Sequence, residues 1–153
     1  RAPGQSLRRR SPVPVSAARE LEAAYRATDY VVEAAGGAFT LRIDEPSAAL
    51  ALLHAARSVR HSAYLSAWNP GSVARVTADN EAAHARLLAA LAAAGLEAIE
   101  GWGRDPSGEW PAERSLLVPG LPPELALELA RRFGQNAFLQ AAADAVPRLV
   151  WAG

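Results

Sequence analysis

The order of the segments between residues 62 and 141 constrains this chain most. Residues 62–68 form a short apolar strand, ended by Asn69-Pro70-Gly71. Leu87, Leu88, Leu91 and Ala94 then draw an apolar stripe along the longest helix, capped by Thr77 or Asp79 and stopped at Gly95. Residues 96–101 read as a strand, Asp105-Pro106-Ser107-Gly108 as a turn, and 115–118 as the strand after it. Pro119-Gly120 breaks the chain. Pro122 and Pro123 suit the first turn of a further helix, with Leu125, Leu129 and Phe133 on one side and Gly134 closing it. Residues 136–141 and 148–151 are the last strands. Strand, helix, strand, strand, helix, strand is the order of a split βαβ, ferredoxin-like unit. The expected fold is α/β (α+β): one domain, with a mixed sheet around a βαββαβ core. Its parallel pair is expected between 62–68 and 115–118. Ahead of the core, Ser16 is read as the N-cap of a helix over 17–27, residues 30–43 as a hairpin turning at Gly36-Gly37, and Ser47 as the cap of a helix near 48–57. The hairpin and the last strand extend or flank the sheet.

The 153 residues suit a single domain with a sizeable core. The formal net charge is zero, but it is unevenly spread. Arg1, Arg8, Arg9 and Arg10 meet no acid in the first ten residues. The remaining twelve arginines face all sixteen acids, so residues 11–153 carry −4. Residues 1–15, with Pro3, Gly4, Pro12 and Pro14, read as a flexible basic arm or linker, and residues 16–153 as the α/β domain. An acidic body argues against nucleic acid as the partner of the folded domain.

The absence of cysteine excludes disulfides, thiolate metal sites and a cysteine nucleophile, and fits a reducing cytoplasm. Every basic side chain other than histidine is Arg; without Lys, Schiff-base chemistry and a Walker-type phosphate lysine are impossible. Arg in place of Lys, with abundant Ala, matches the codon bias of a GC-rich genome. With no methionine even at position 1, the chain is expected to be a fragment or to lack its natural start. No apolar run approaches the roughly 20 residues that cross a bilayer, and no membrane partner is expected. No HExxH or nucleophile elbow is present. No metal and no cofactor is expected, and His84 is read as a surface or partly packed residue.

Two clusters carry candidate chemistry. In the expected topology the end of the first core strand meets the start of the last. That gathers Trp68, Asn69, Gln135 and Asn136 on one rim, with Asn80 and Arg86 brought near by the long helix. Amides read hydrogen-bond patterns, and a helix N-terminus with a guanidinium favours an anion. The plainer reading is that these residues only cap and close turns. The second cluster is Gly101-Trp102-Gly103, then Trp110, Glu113 and Ser115, where glycines admit close backbone approach and Trp rings can stack on a flat ligand. The plainer reading there is a hairpin with aromatic cover. The expected topology puts this loop at the opposite end of the sheet from Asn69.

Taken together, Ala67-Trp68-Asn69-Pro70, Asn80 opening a helix, Gly101-x-Gly103, Trp110-Pro111-x-Glu113-x-Ser115 and Phe133-Gly134-Gln135-Asn136-Ala137 resemble the bacterial family catalogued as domain of unknown function 3293. The resemblance runs from about Tyr25 to Trp151. It implies one intact domain and weight on the named positions, and it brings no activity.

Three functional readings follow. The first is a cytoplasmic domain binding a small polar or anionic, nucleotide-like ligand at the amide rim. The second is a protein-interaction or regulatory module using exposed Trp102, Trp110 and Trp151. The third is an enzyme with Glu113 as general base near Ser115 and Arg104.

Overall fold

The computed structural model describes residues 15–153. The basic arm expected over residues 1–15 lies outside the described residues, except that Val15 opens the first helix one residue before Ser16. The helices are α1 (Val15–Ala27), α2 (Ala48–Arg57), α3 (Thr77–Ala93) and α4 (Pro123–Arg132). The strands are β1 (Asp29–Ala34), β2 (Gly37–Leu41), β3 (Ser62–Leu65), β4 (Ile99–Arg104), β5 (Glu113–Pro119), β6 (Ala137–Ala141) and β7 (Arg148–Trp151).

The seven strands form one sheet in the order β2-β1-β4-β5-β3-β6-β7. The inner four, β4-β5-β3-β6, are the ferredoxin-like core, and the hairpin and last strand extend it at either edge. One expectation about direction is corrected. The pair β3 and β5 is adjacent but antiparallel, with Tyr64 opposite Leu117. All six pairings are antiparallel, so the sheet is not mixed. The reason lies in the connections. Helix α3 carries the chain back, so β4 runs the same way as β3. The β4–β5 hairpin then reverses it, and β5 slots between the two strands against both.

Side-chain periodicity explains the layers. Strand β5 is inner and covered on both faces, so its Leu116-Leu117-Val118 run is continuously apolar. Leu116 and Val118 join Leu87 and Leu91 of α3 and Ala126, Leu129 and Ala130 of α4 in one core. Leu117, Tyr64 and Leu139 face the other way, onto Leu50 and Leu53 of α2 and Tyr25 of α1. Helix α2 starts where Ser47 Oγ accepts from the Leu50 N–H at 3.1 Å. Helix α3 ends at Gly95 (φ 74), where the Leu96 N–H reaches back to the Leu91 carbonyl at 3.0 Å.

The buried stripe of α3 continues into polar residues. Asn80 and His84 lie on the same inward face as Leu87 and Leu91, and both are 2% exposed. His84 is therefore core, not surface. Its Nε2 donates to the Glu100 carboxylate at 3.0 Å, and Glu100 also pairs with Arg114, which reaches Glu81 on α3. This network ties α3 to the β4–β5 hairpin.

Candidate ligand-binding cleft

One end of the sheet collects the ends of β3 and β4 and the starts of β1, β5 and β6. All five open onto a cleft of about 410 Å³, closed on one side by Leu21, Ala24 and Tyr25 of α1. Trp68, Asn69, Gln135 and Asn136 line it together with Gly103, Trp110, Glu113 and Ser115. The two sequence clusters thus share one cleft, and the expectation that they sit at opposite ends of the sheet is overturned. The cause is the strand direction already described. Because β4 runs parallel to β3, the hairpin that follows β4 emerges at the end where Asn69 lies.

The centre of the polar wall is a carboxylate held by amides. Asn69 Nδ2 donates to Glu113 Oε1 at 3.0 Å. Asn80 fixes Asn69 from behind: the Asn69 N–H donates to Asn80 Oδ1 at 2.9 Å, and Asn80 Nδ2 donates to Asn69 Oδ1 at 2.7 Å. The Arg75 N–H also donates to Asn69 Oδ1, at 3.1 Å. The backbone here is unusual, since Asn69 (φ 43), Gly71 (φ 68) and Ser72 (φ 61) are all left-handed. Such conformations persist where surrounding bonds over-determine them. Asn69 therefore serves to hold Glu113, with little of its own amide left for a ligand.

Gln135 and Asn136 brace the same loop. Gln135 Nε2 donates to the Trp68 carbonyl at 3.1 Å, and Asn136 Nδ2 donates to Ser72 Oγ at 2.9 Å. With a further bond from Gln135 Nε2 to the Phe133 carbonyl at 3.3 Å, both Gln135 donors are used, and neither amide oxygen accepts a hydrogen bond from the described residues. Burial pushes the Glu113 carboxyl above the usual carboxylate range, and the Asn69 hydrogen bond only partly opposes this. Tyr30 and Tyr64, edge-to-face with ring centres 5.4 Å apart, form the floor.

Several candidates fall elsewhere. Asn80 stands behind the wall. Arg86 lies on the far side of the 69–75 loop, in a separate groove. Among the described residues, no Arg or His lines the cleft. The guanidinium and helix start expected there lie outside the cleft lining. Gly101 is structural: a Cβ there would collide with the Val31 carbonyl oxygen and meet the Tyr64 hydroxyl at 3.0 Å. Arg104 pairs with Asp29 at 3.1 Å rather than joining Glu113. The three Trp residues have different neighbours. Trp110 lines the cleft, Trp151 packs edge-on against Tyr25, and Trp102 lies beneath Arg114 on the α3 side.

Sequence reasoning missed the α1 wall and the two tyrosines. Leu21, Ala24 and Tyr25 stand at helical spacing, and nothing local says what that face covers. Among the described residues, no group of three or more His, Asp or Glu could hold a metal ion, and no helix is long and apolar enough to cross a membrane.

What the fold and cleft define is an α+β domain with an open, carboxylate-bearing cleft. Residues 65–138 match the model of the family described as "Protein of unknown function (DUF3293)", and the chain resembles that family over this span. The span holds Asn69, Asn80, Glu113, Gln135 and Asn136, while the α1 wall lies outside it. No curated protein and no solved structure matches the chain.

Proposed function

We propose that the cleft binds a small, flat ligand rich in hydrogen-bond donors, neutral or cationic, such as an aminated heterocycle or an amidine. One observation carries this reading: a half-buried carboxylate, Glu113, meets one amide donor and no cation in a cleft walled by Trp68, Trp110, Tyr30 and Tyr64. A partly desolvated negative charge is costly until it is paired. A donor-bearing ring between aromatic walls supplies that pairing. The acceptor oxygens of Gln135 and Asn136 favour the same chemistry. The lack of cysteine fits placement in a reducing compartment such as the cytoplasm.

A thermal-shift screen of amines, amidines and aminated heterocycles against carboxylates and phosphates tests it, because a binder raises the melting temperature by mass action. Donor-rich cations are expected to stabilise the protein, and Glu113→Gln is expected to weaken the best of them at least tenfold. A ligand whose effect survives both Asn69→Ala and Gln135→Ala would count against this cleft.

Stability gives an independent check on Glu113. Its folded pKa lies above its unfolded value, so the folded state holds the proton more tightly. Stability contributed by the neutral carboxyl is present below the unfolded pKa and is lost as pH rises through the folded value. Gln cannot ionise. The urea midpoints of wild type and Glu113→Gln should coincide near pH 4, with the variant higher at pH 8. A lower midpoint for the variant at pH 8 would contradict this.

A catalytic use of the same carboxylate is the second reading, favoured by its raised pKa beside a ligand-sized space. It predicts chemical change of a bound ligand that Glu113→Gln abolishes while binding persists.

A further inference from the structure

Behind the 69–75 loop lies a second groove of about 290 Å³, bordered by Arg75, Arg86 and Arg132 and floored by Phe133 and Pro70. It backs directly onto the cleft: Asn69 faces the cleft and Pro70 the groove, and Gln135 faces the cleft and Gly134 the groove. Of the nine other arginines of the described domain, Arg26, Arg42, Arg57, Arg104, Arg114 and Arg148 pair with carboxylates, while Arg19, Arg60 and Arg131 do not and lie outside the groove. Among the described residues, no carboxylate pairs with Arg75, Arg86 or Arg132. In a body with more acids than arginines, three Arg residues thus border one groove whose lining holds no Asp or Glu.

The groove is built from three separate parts of the chain. Arg86 projects from α3, Arg132 ends α4, and Arg75 stands in the loop whose N–H is tied to Asn69. Arg132 is laid over the Phe133 ring, 5.4 Å from its centre, which orients the planar guanidinium. Gly134 (φ 68) and Pro70 are in such close contact that a Cβ on Gly134 would stand 2.9 Å from Pro70 Cβ. The floor therefore holds its shape.

We propose that this groove binds a phosphate or pyrophosphate group of a small molecule. Guanidiniums remain charged at any physiological pH and present forked N–H donors that match phosphate oxygens, two at a time. The negative body around the groove opposes an extended polyanion such as nucleic acid, while one compact oxyanion needs only these three side chains. Since Arg75 and Asn69 share one loop, occupancy here also bears on the Asn69–Glu113 pair.

The test is titration of the full chain with inorganic pyrophosphate and with inorganic phosphate, by calorimetry and amide chemical shifts. Saturable 1:1 binding is expected, with shifts concentrated at residues 70–75, 86 and 132–134, and at least tenfold weaker binding in Arg86→Gln and in Arg132→Gln. Both variants keep exposed positions polar and should retain wild-type circular dichroism. A triple substitution of Arg8, Arg9 and Arg10 by Ser should leave this binding unchanged. The proposal is overturned by any of three results: no saturation at millimolar pyrophosphate, affinity that survives both α-helical substitutions, or loss confined to the Arg8–Arg10 variant. Tighter binding of a single-stranded oligonucleotide than of pyrophosphate would overturn it in favour of a nucleic-acid surface. None of these outcomes depends on the cleft ligand.

Discussion

Replacing Gly101 with alanine is expected to destabilise the protein by about 3 kcal/mol or more, the upper range for overpacking a closed interior. For a domain of this size that is a fall of roughly 10 °C in Tm. The added Cβ has no room because it meets the Val31 carbonyl oxygen, a backbone atom on the neighbouring strand β1. It also meets the Tyr64 hydroxyl, which itself donates to that carbonyl at 3.0 Å. Relief requires opening the β1–β4 pairing that carries the outer hairpin. Gly103→Ala is the control. The nearest atoms to a Cβ there are 3.8 Å away, so it should stay within about 1 kcal/mol of wild type while narrowing the cleft. Thermal melts of the two variants decide the matter, and equal losses would refute the assignment.

Asn80→Ala should produce the second large effect, and it should reach the cleft without touching it. Removing the buried amide strips the Asn69 N–H of its acceptor and Asn69 Oδ1 of a 2.7 Å donor. Leaving such groups unpaired costs about 1–3 kcal/mol each, so a loss of roughly 2–4 kcal/mol in urea unfolding is expected. Asn80→Asp should be worse than its isosteric shape suggests. It still accepts from the Asn69 N–H, but it sets a buried carboxylate against Asn69 Oδ1. The chemical consequence is readable at Glu113. The Asn69 hydrogen bond lowers the Glu113 pKa against the raising effect of burial. An Asn69 freed from Asn80 holds Glu113 less well, so the Glu113 pKa, followed by carboxyl NMR, should move higher still. An unchanged Glu113 titration in Asn80→Ala would show that Asn69 needs no support.

How the sequence related to the outcome is clearest at particular residues. Helix and strand periodicity, with Pro and Gly at the breaks, was enough to order the core, because those signals are local and the hydrophobic repeat differs between helix and strand. The adjacency of β3 with β5 and β6 followed from that order. Strand direction did not, although it decides more about the site than adjacency does. Treating β3 and β5 as parallel sent Glu113 to the far end of the sheet, when it stands 3.0 Å from Asn69. The residue types at the site were legible as candidates, since Trp68, Asn69, Gln135, Glu113 and Trp110 are turn or hairpin residues with more chemistry than a turn needs. Their roles were not. Asn69 and Asn80 are identical side chains, yet one lines the cleft and one is sealed behind it. Gly101 and Gly103 are two residues apart and read alike, yet one is pressed against a backbone carbonyl and the other opens onto the cleft. Arg86 lies about one and two-thirds turns along α3 from Asn80, which turns it toward the groove behind the 69–75 loop.

By itself, then, the sequence determined the split α+β core, the edge hairpin, the lack of thiol and lysine chemistry, and the polar residues worth watching. Each of these is set by residue type and by spacing along the chain. The tertiary structure alone decided that the two motif clusters are one cleft, that its charge is a carboxylate with no cation, and that the arginines gather behind it. Those facts depend on which strand ends coincide and on which side of a loop a side chain falls. They are properties of contacts between residues more than 40 positions apart, such as Asn69 with Glu113, which no local pattern encodes.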